Sequence, residues 1–208
     1  MRGHRSVGSG ILAIMLAALA MTSSAGAAVD IVGSLSNSSG PNPFNAKGNA
    51  FRIDTSTVLN LQEFYLNFTG SHTLTFSVYS SPTEFGTYTR VQNNTVTRSS
   101  AGGGEFISSG PITVPLLAGT FYITAVEPLD SIIYYFGSGA SQATSFGAQV
   151  HGFATGTSPM GPTISSTADD SAIYFQRLTT NIPEPAGVLS AAVAAAAAAL
   201  MSRRSVAR

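Results

Sequence analysis

The feature that most constrains this chain is a period of two in its apolar residues. Phe64, Leu66 and Phe68 alternate with Glu63, Tyr65 and Asn67, and Leu74, Phe76 and Val78 alternate with Thr73, Thr75 and Ser77. Side chains two apart share one face of a strand, so each run presents an apolar and a polar side. Phe51 and Ile53, then Ile112, Val114 and Leu116, repeat the pattern. Turn residues separate the runs, as in Asn37-Ser38-Ser39-Gly40-Pro41 and Gly102-Gly103-Gly104. No amphipathic helical window lies between them. The spacing predicts an all-β body of eight or nine strands, an antiparallel β-sandwich of jelly-roll type.

Individual segments carry finer expectations. Pro115 has no amide to donate, which places Val114–Leu116 at a sheet edge or a bulge. Leu117-Ala118-Gly119-Thr120 reads as the turn of a hairpin between that run and Phe121 to Val126. Ile132 to Phe136 is apolar on both sides and reads as a central strand. Thr87 to Thr97 fixes no register. Phe64, Leu66, Phe76, Val78, Ile123 and Ile133 are the expected core. There is no Cys, so apolar burial alone must hold the body, which at this length it can do.

The two ends differ from the body. Arg2 and Arg5 precede an apolar run from Ile11 to Met21, too short to span a bilayer. Ala25-Gly26-Ala27 then supplies small residues at Ala25 and Ala27, the pattern that signal peptidase cuts. Residues 1–27 therefore read as a secretory signal peptide, 28–180 as the β-sandwich body and 181–208 as a tail. Within the tail stand Pro183-Glu184-Pro185, then sixteen mostly apolar residues from Ala186 to Met201, then Arg203 and Arg204. Both prolines lack an amide and favour extended backbone before them. The apolar run reads as a helix of roughly 24 Å, short of a bilayer core of about 30 Å. Val188, Leu189, Val193 and Leu200 together favour insertion by roughly 2 kcal/mol. Each arginine opposes passage through the bilayer centre by about 2.5–3.5 kcal/mol, so Arg203 and Arg204 are the expected stop-transfer cluster.

This order of motif, apolar run and basic cluster resembles the PEP-CTERM sorting signal of Gram-negative bacteria. The resemblance is confined to the tail, and its motif positions are Pro183, Glu184 and Pro185. It implies a single transmembrane helix held transiently in the inner membrane. It further implies processing by an exosortase-type protease and release to the cell surface or the extracellular polysaccharide. The helix departs from the family in being nearly all Ala, where Leu and Gly are more usual.

The body offers little chemistry by pattern. Its five basic and nine acidic side chains leave a net charge of −4, which argues against a nucleic-acid partner. His72 and His151 stand alone, the first in a turn and the second on an outward face. No nucleophile elbow, zinc-protease motif or phosphate loop occurs. Glu63, Glu84, Glu105 and Glu127 could serve a glycosidase only if the fold brought two together, and no spacing singles out a pair. Asp130 and the pair Asp169-Asp170 fall short of a calcium ligand set. No catalytic residue, metal or cofactor is therefore assigned. The expectation is a non-enzymatic surface or matrix protein associated with exopolysaccharide. The alternative is a secreted carbohydrate-binding or carbohydrate-active domain, with Tyr65, Tyr79 and Tyr122 on the polar sides of their strands and no Trp.

Overall fold

The computed structural model describes residues 26–42, 45–156, 159–166 and 171–182. One compact unit spans Ala27–Pro183. The described residues contain strands and turns without a helix. In chain order the strands are β1 (Gly26–Val32), β2 (Asn37–Asn42), β3 (Ala46–Ile53), β4 (Thr57–Asn67) and β5 (Thr69–Ser81). There follow β6 (Gly86–Ala101), β7 (Glu105–Ser108), β8 (Val114–Leu116), β9 (Phe121–Pro128) and β10 (Ile132–Ser138). The last are β11 (Gln142–Thr144), β12 (Gly147–Thr155), β13 (Thr163–Ser166), β14 (Ala172–Tyr174) and β15 (Gln176–Ile182).

They form two antiparallel sheets. Sheet A runs β1-β15-β4-β10-β14, with β2 on β10 and both β7 and β8 on β4. Sheet B runs β11-β12-β3-β9-β5-β6-β13. The core lies where their inner faces meet. Phe64 and Leu66 of β4 pack with Leu74 and Phe76 of β5, the Phe64 and Phe76 rings 6.3 Å apart. At the other end Leu59 and Leu178 of sheet A meet Phe51, Val78 and Tyr122 of sheet B. The result is a β-sandwich.

Polar groups cross this core, most densely around Asn49 and Gln176. Asn49 of β3 donates to the Tyr174 carbonyl at 2.9 Å and accepts from the Tyr174 amide at 2.9 Å. The Gln176 amide donates to Thr124 Oγ1 at 2.8 Å. A buried amide without such partners would destabilise the core, so these bonds fix how the two sheets are aligned.

Several strand-level expectations change. Thr87 to Thr97 lies within β6, sixteen residues long, because it pairs with β5 along nearly its whole length. The Leu117–Thr120 turn joins no hairpin: β8 pairs with β4 in sheet A, while β9 lies between β3 and β5 in sheet B. That turn carries the chain from one sheet to the other. Ile133 is only half-buried, and its neighbours Ile132 and Tyr134 take the inward positions. A strand apolar on both sides leaves its phase open, and the pairing of Tyr134 with Leu66 sets it. Ile123 is buried as expected, but on the outer side of sheet B. Pro115 is exposed, with Val58 as its paired residue on β4.

Register slips on β4 and β6 re-aim side chains. On β4, Leu61 pairs with Thr179 and Leu59 with Thr180, which leaves Asn60 as an extra residue. Leu59 and Gln62 then point inward, and Glu63 and Tyr65 point outward. On β6, Gln92 pairs with Val78 and Arg90 with Tyr79, so Val91 is extra and exposed. An extra residue reverses the alternation beyond it. Tyr88 and Arg90 thereby join Tyr79 on the outer face of sheet B.

Candidate functional site

The outer face of sheet A carries four aromatic rings from four strand segments. Tyr65 is on β4 and Phe106, its paired residue, on β7. Tyr135 is on β10, and Phe175 links β14 to β15. The backbone explains the convergence. The Tyr65 amide donates to the Phe175 carbonyl at 2.9 Å, and the Phe175 amide donates to the Tyr135 carbonyl at 2.8 Å. Phe175 thus bridges β4 and β10 at the point where β10 and β15 share one side of β4.

The rings contact one another. Phe106 and Tyr135 each stand at 88° to Tyr65 with centroids 5.3 Å away. Phe175 lies 5.3 Å from Tyr65 and 5.0 Å from Phe106. Edge-to-face pairs at these distances add stability beyond their burial. Even so, all four rings remain half-buried. Gly104 explains how the β6–β7 turn approaches so closely. Its φ is +80°, and a Cβ there would lie 2.6 Å from Tyr65 Cε1, so only glycine fits.

Polar groups flank the rings. Arg177 stacks on Phe106 at 4.6 Å and forms a bidentate pair with Glu63, at 2.5 Å from Nε and 2.7 Å from Nη2. The Glu63 side chain is 9% exposed and that of Arg177 37%, so the acid end is sealed and the base end open. The bond to Glu63 raises the Arg177 pKa above its already high value. The Asn67 amide donates to the Tyr135 hydroxyl at 3.4 Å. The patch is therefore aromatic, bordered by donors and acceptors, with its one ion pair internally neutral.

Sheet B treats its outward aromatics differently. Tyr79, Tyr88 and Phe153 lie under the segment between β12 and β13, where Met160 is buried against them. That cover is bonded down. Tyr79 donates to the Gly161 carbonyl at 2.9 Å and Arg90 to the Met160 carbonyl at 3.0 Å. The Met160 amide donates to Glu127 at 3.1 Å. Burial pushes the Tyr79 and Tyr88 phenols upward in pKa, and that of Tyr134 in the core well upward. A cleft of about 290 Å³ opens beside the cover, lined by Phe153, Met160 and Ile164 with Thr155, Thr163 and Ser165.

The sequence-predicted residues fall as follows. Tyr65 is outward and half-buried, but Tyr79 is sealed by the Met160 cover, and Tyr122 points into the core. The Met160 segment accounts for the first correction, and the pairing of Tyr122 with inward Phe51 for the second. Glu63 is held by Arg177, and Glu127 by the Met160 amide. His151 is outward yet buried, stacked 5.1 Å from Phe85, with Nδ1 2.7 Å from the Gly152 carbonyl. His72 packs 4.6 Å from Phe68. Ala27 lies on β1 and is exposed. The cleavage residue Ala25, the sorting motif Pro183, Glu184 and Pro185, the apolar run and the basic cluster Arg203 and Arg204 lie outside the described residues, as do Asp169 and Asp170. Phe106, Tyr135 and Phe175 went unmarked in the sequence. For Tyr135 the signal was its alternation with Tyr134, readable once one of the two was known to face inward. The chain matches no family model and no curated protein.

Proposed function

We propose that this chain is an exported, non-enzymatic surface or matrix protein, sorted through its C-terminal tail. The observation that carries the reading is the co-occurrence in one chain of an N-terminal export pattern with Pro183-Glu184-Pro185, an apolar run and Arg203-Arg204 at the other end. In this reading signal peptidase cuts after Ala27, and an exosortase-type protease acts near the Pro-Glu-Pro. The inner membrane holds the tail only transiently, and the body is delivered to the cell surface or the extracellular polysaccharide. A cut after Ala27 retains Ala28 to Val32 of β1, including Val32, which packs in the core. The body suits a scaffold: Glu63, Glu127 and Asp54 are engaged by structural partners, and the outer face of β5–β6 is lined with threonine pairs. Its chain passes repeatedly between the sheets, as at β3 to β4 to β5, which supports the jelly-roll assignment.

Fractionation of cells carrying a tag in the body tests this. Arg203→Ser with Arg204→Ser should release full-length, uncut protein, and Pro183→Ala with Pro185→Ala should leave it anchored and unprocessed. Parent-like anchoring and processing in both variants would reject the tail as the sorting element. A specific observation favours carbohydrate binding as a second reading: the open ring cluster on sheet A.

A further inference from the structure

We infer that the surface formed by Tyr65, Phe106, Tyr135 and Phe175 binds neutral polysaccharide built of pyranose rings. Equatorially substituted pyranoses present C–H groups on their faces and hydroxyls around their rims. An aromatic ring takes the first, and donors and acceptors at its edge take the second. Sheet A offers this combination: four half-buried rings, with the Asn67 amide, the Tyr135 hydroxyl and the open end of Arg177 around them. Because Arg177 is neutralised by Glu63, the ring cluster carries no net positive charge to select an acidic polymer.

Size separates this occupant from a protein. An aromatic side chain buries 150–250 Å² when covered, so four rings that are each at most about a third exposed offer no more than roughly 300 Å² in all. A stable protein interface needs about 800 Å² per partner. The ring area suits a short run of sugar rings instead. The contrast with sheet B points the same way. There the outward aromatics Tyr79, Tyr88 and Phe153 are sealed by the chain's own Met160 segment, whereas the rings of sheet A are left half-open.

The inference deepens the surface-protein reading and rests on it only for where the polymer is met. Purified full-length protein in mild detergent should be retained by insoluble cellulose or curdlan, two neutral glucans. Tyr65→Ala with Tyr135→Ala should weaken retention at least tenfold. Tyr135→Ser alone, at a partly exposed ring, provides a variant that keeps the rest of the cluster and should weaken it severalfold. Thr97→Ala, on the outer face of sheet B, should bind like the parent. Thermal melts and sedimentation of each variant accompany the binding data. Failure of the parent to bind either glucan overturns the inference, as does parent-like binding by folded Tyr135 and Tyr65 variants. A change of oligomeric state with unaltered glucan retention would make the patch a self-association face and also overturn it. Glucan binding by a protein that fractionation finds in the cytoplasm would defeat the export reading and leave this one standing.

Discussion

The outer faces of the two sheets hold similar residues and handle them in opposite ways. Sheet B points Tyr79, Tyr88 and Phe153 outward and then buries them beneath a return of its own chain, bonded down through Gly161, Met160 and Glu127. Sheet A points Tyr65, Phe106, Tyr135 and Phe175 outward and leaves them partly in water, braced by one another, by Gly104 and by Arg177. Rings on an outer face are thus of two kinds. Tyr79, Tyr88 and Phe153 of sheet B belong to a third core and serve stability. Those of sheet A give up part of their burial energy, which leaves them available to a ligand.

The largest effect should come from the sealed side. Tyr79→Ala removes a fully buried ring and the bond to Gly161, and should cost about 3–5 kcal/mol in denaturant unfolding. A cost near zero would mean that the Met160 segment covers nothing and that the two faces are alike.

Alkali should sharpen the contrast next. Tyr79, Tyr88 and Tyr134 have phenols raised by burial, Tyr134 most deeply placed. Between the unfolded value of about 10 and the raised folded value, the native state holds protons that the unfolded chain releases. Their contribution is therefore complete below about pH 10 and is lost as pH rises through the folded values. In a spectrophotometric titration these three should ionise only together with unfolding. Their ionisation in the still-folded protein would refute the seal.

The smallest effect belongs to the open side. Tyr135→Ala should cost about 1–2 kcal/mol in the same denaturant assay, because its ring stays partly exposed and its hydroxyl only accepts a long bond from Asn67. A cost equal to that of Tyr79→Ala would make the sheet A cluster another piece of core and remove the reason to look for a ligand there.

How much of this was legible follows from the range of each cause. Phe64, Leu66, Phe76 and Val78 could be assigned inward because alternation is a property of neighbours two residues apart. The all-β class followed from the same rule. The inward assignment of Ile133 failed, since apolar residues on both sides of β10 give no phase. The Pro115 run was readable as an edge, because a missing amide acts where it stands. Its pairing was not readable, because short turns serve hairpins and sheet-to-sheet crossings equally well.

The sequence by itself determined a disulfide-free β body with apolar strand faces, and two end segments of quite different composition. Only the tertiary structure decided which outward aromatics are covered. An extra residue at Asn60 or Val91 reverses every side chain beyond it, and nothing local announces it. Tyr65, Phe106, Tyr135 and Phe175 meet because β4, β7, β10 and the β14–β15 link converge, although Tyr65 and Phe175 are far apart in the chain. Met160 seals Tyr79 from a comparable separation. Alternation is written within a strand, whereas coverage depends on which distant strand or segment comes to lie across it.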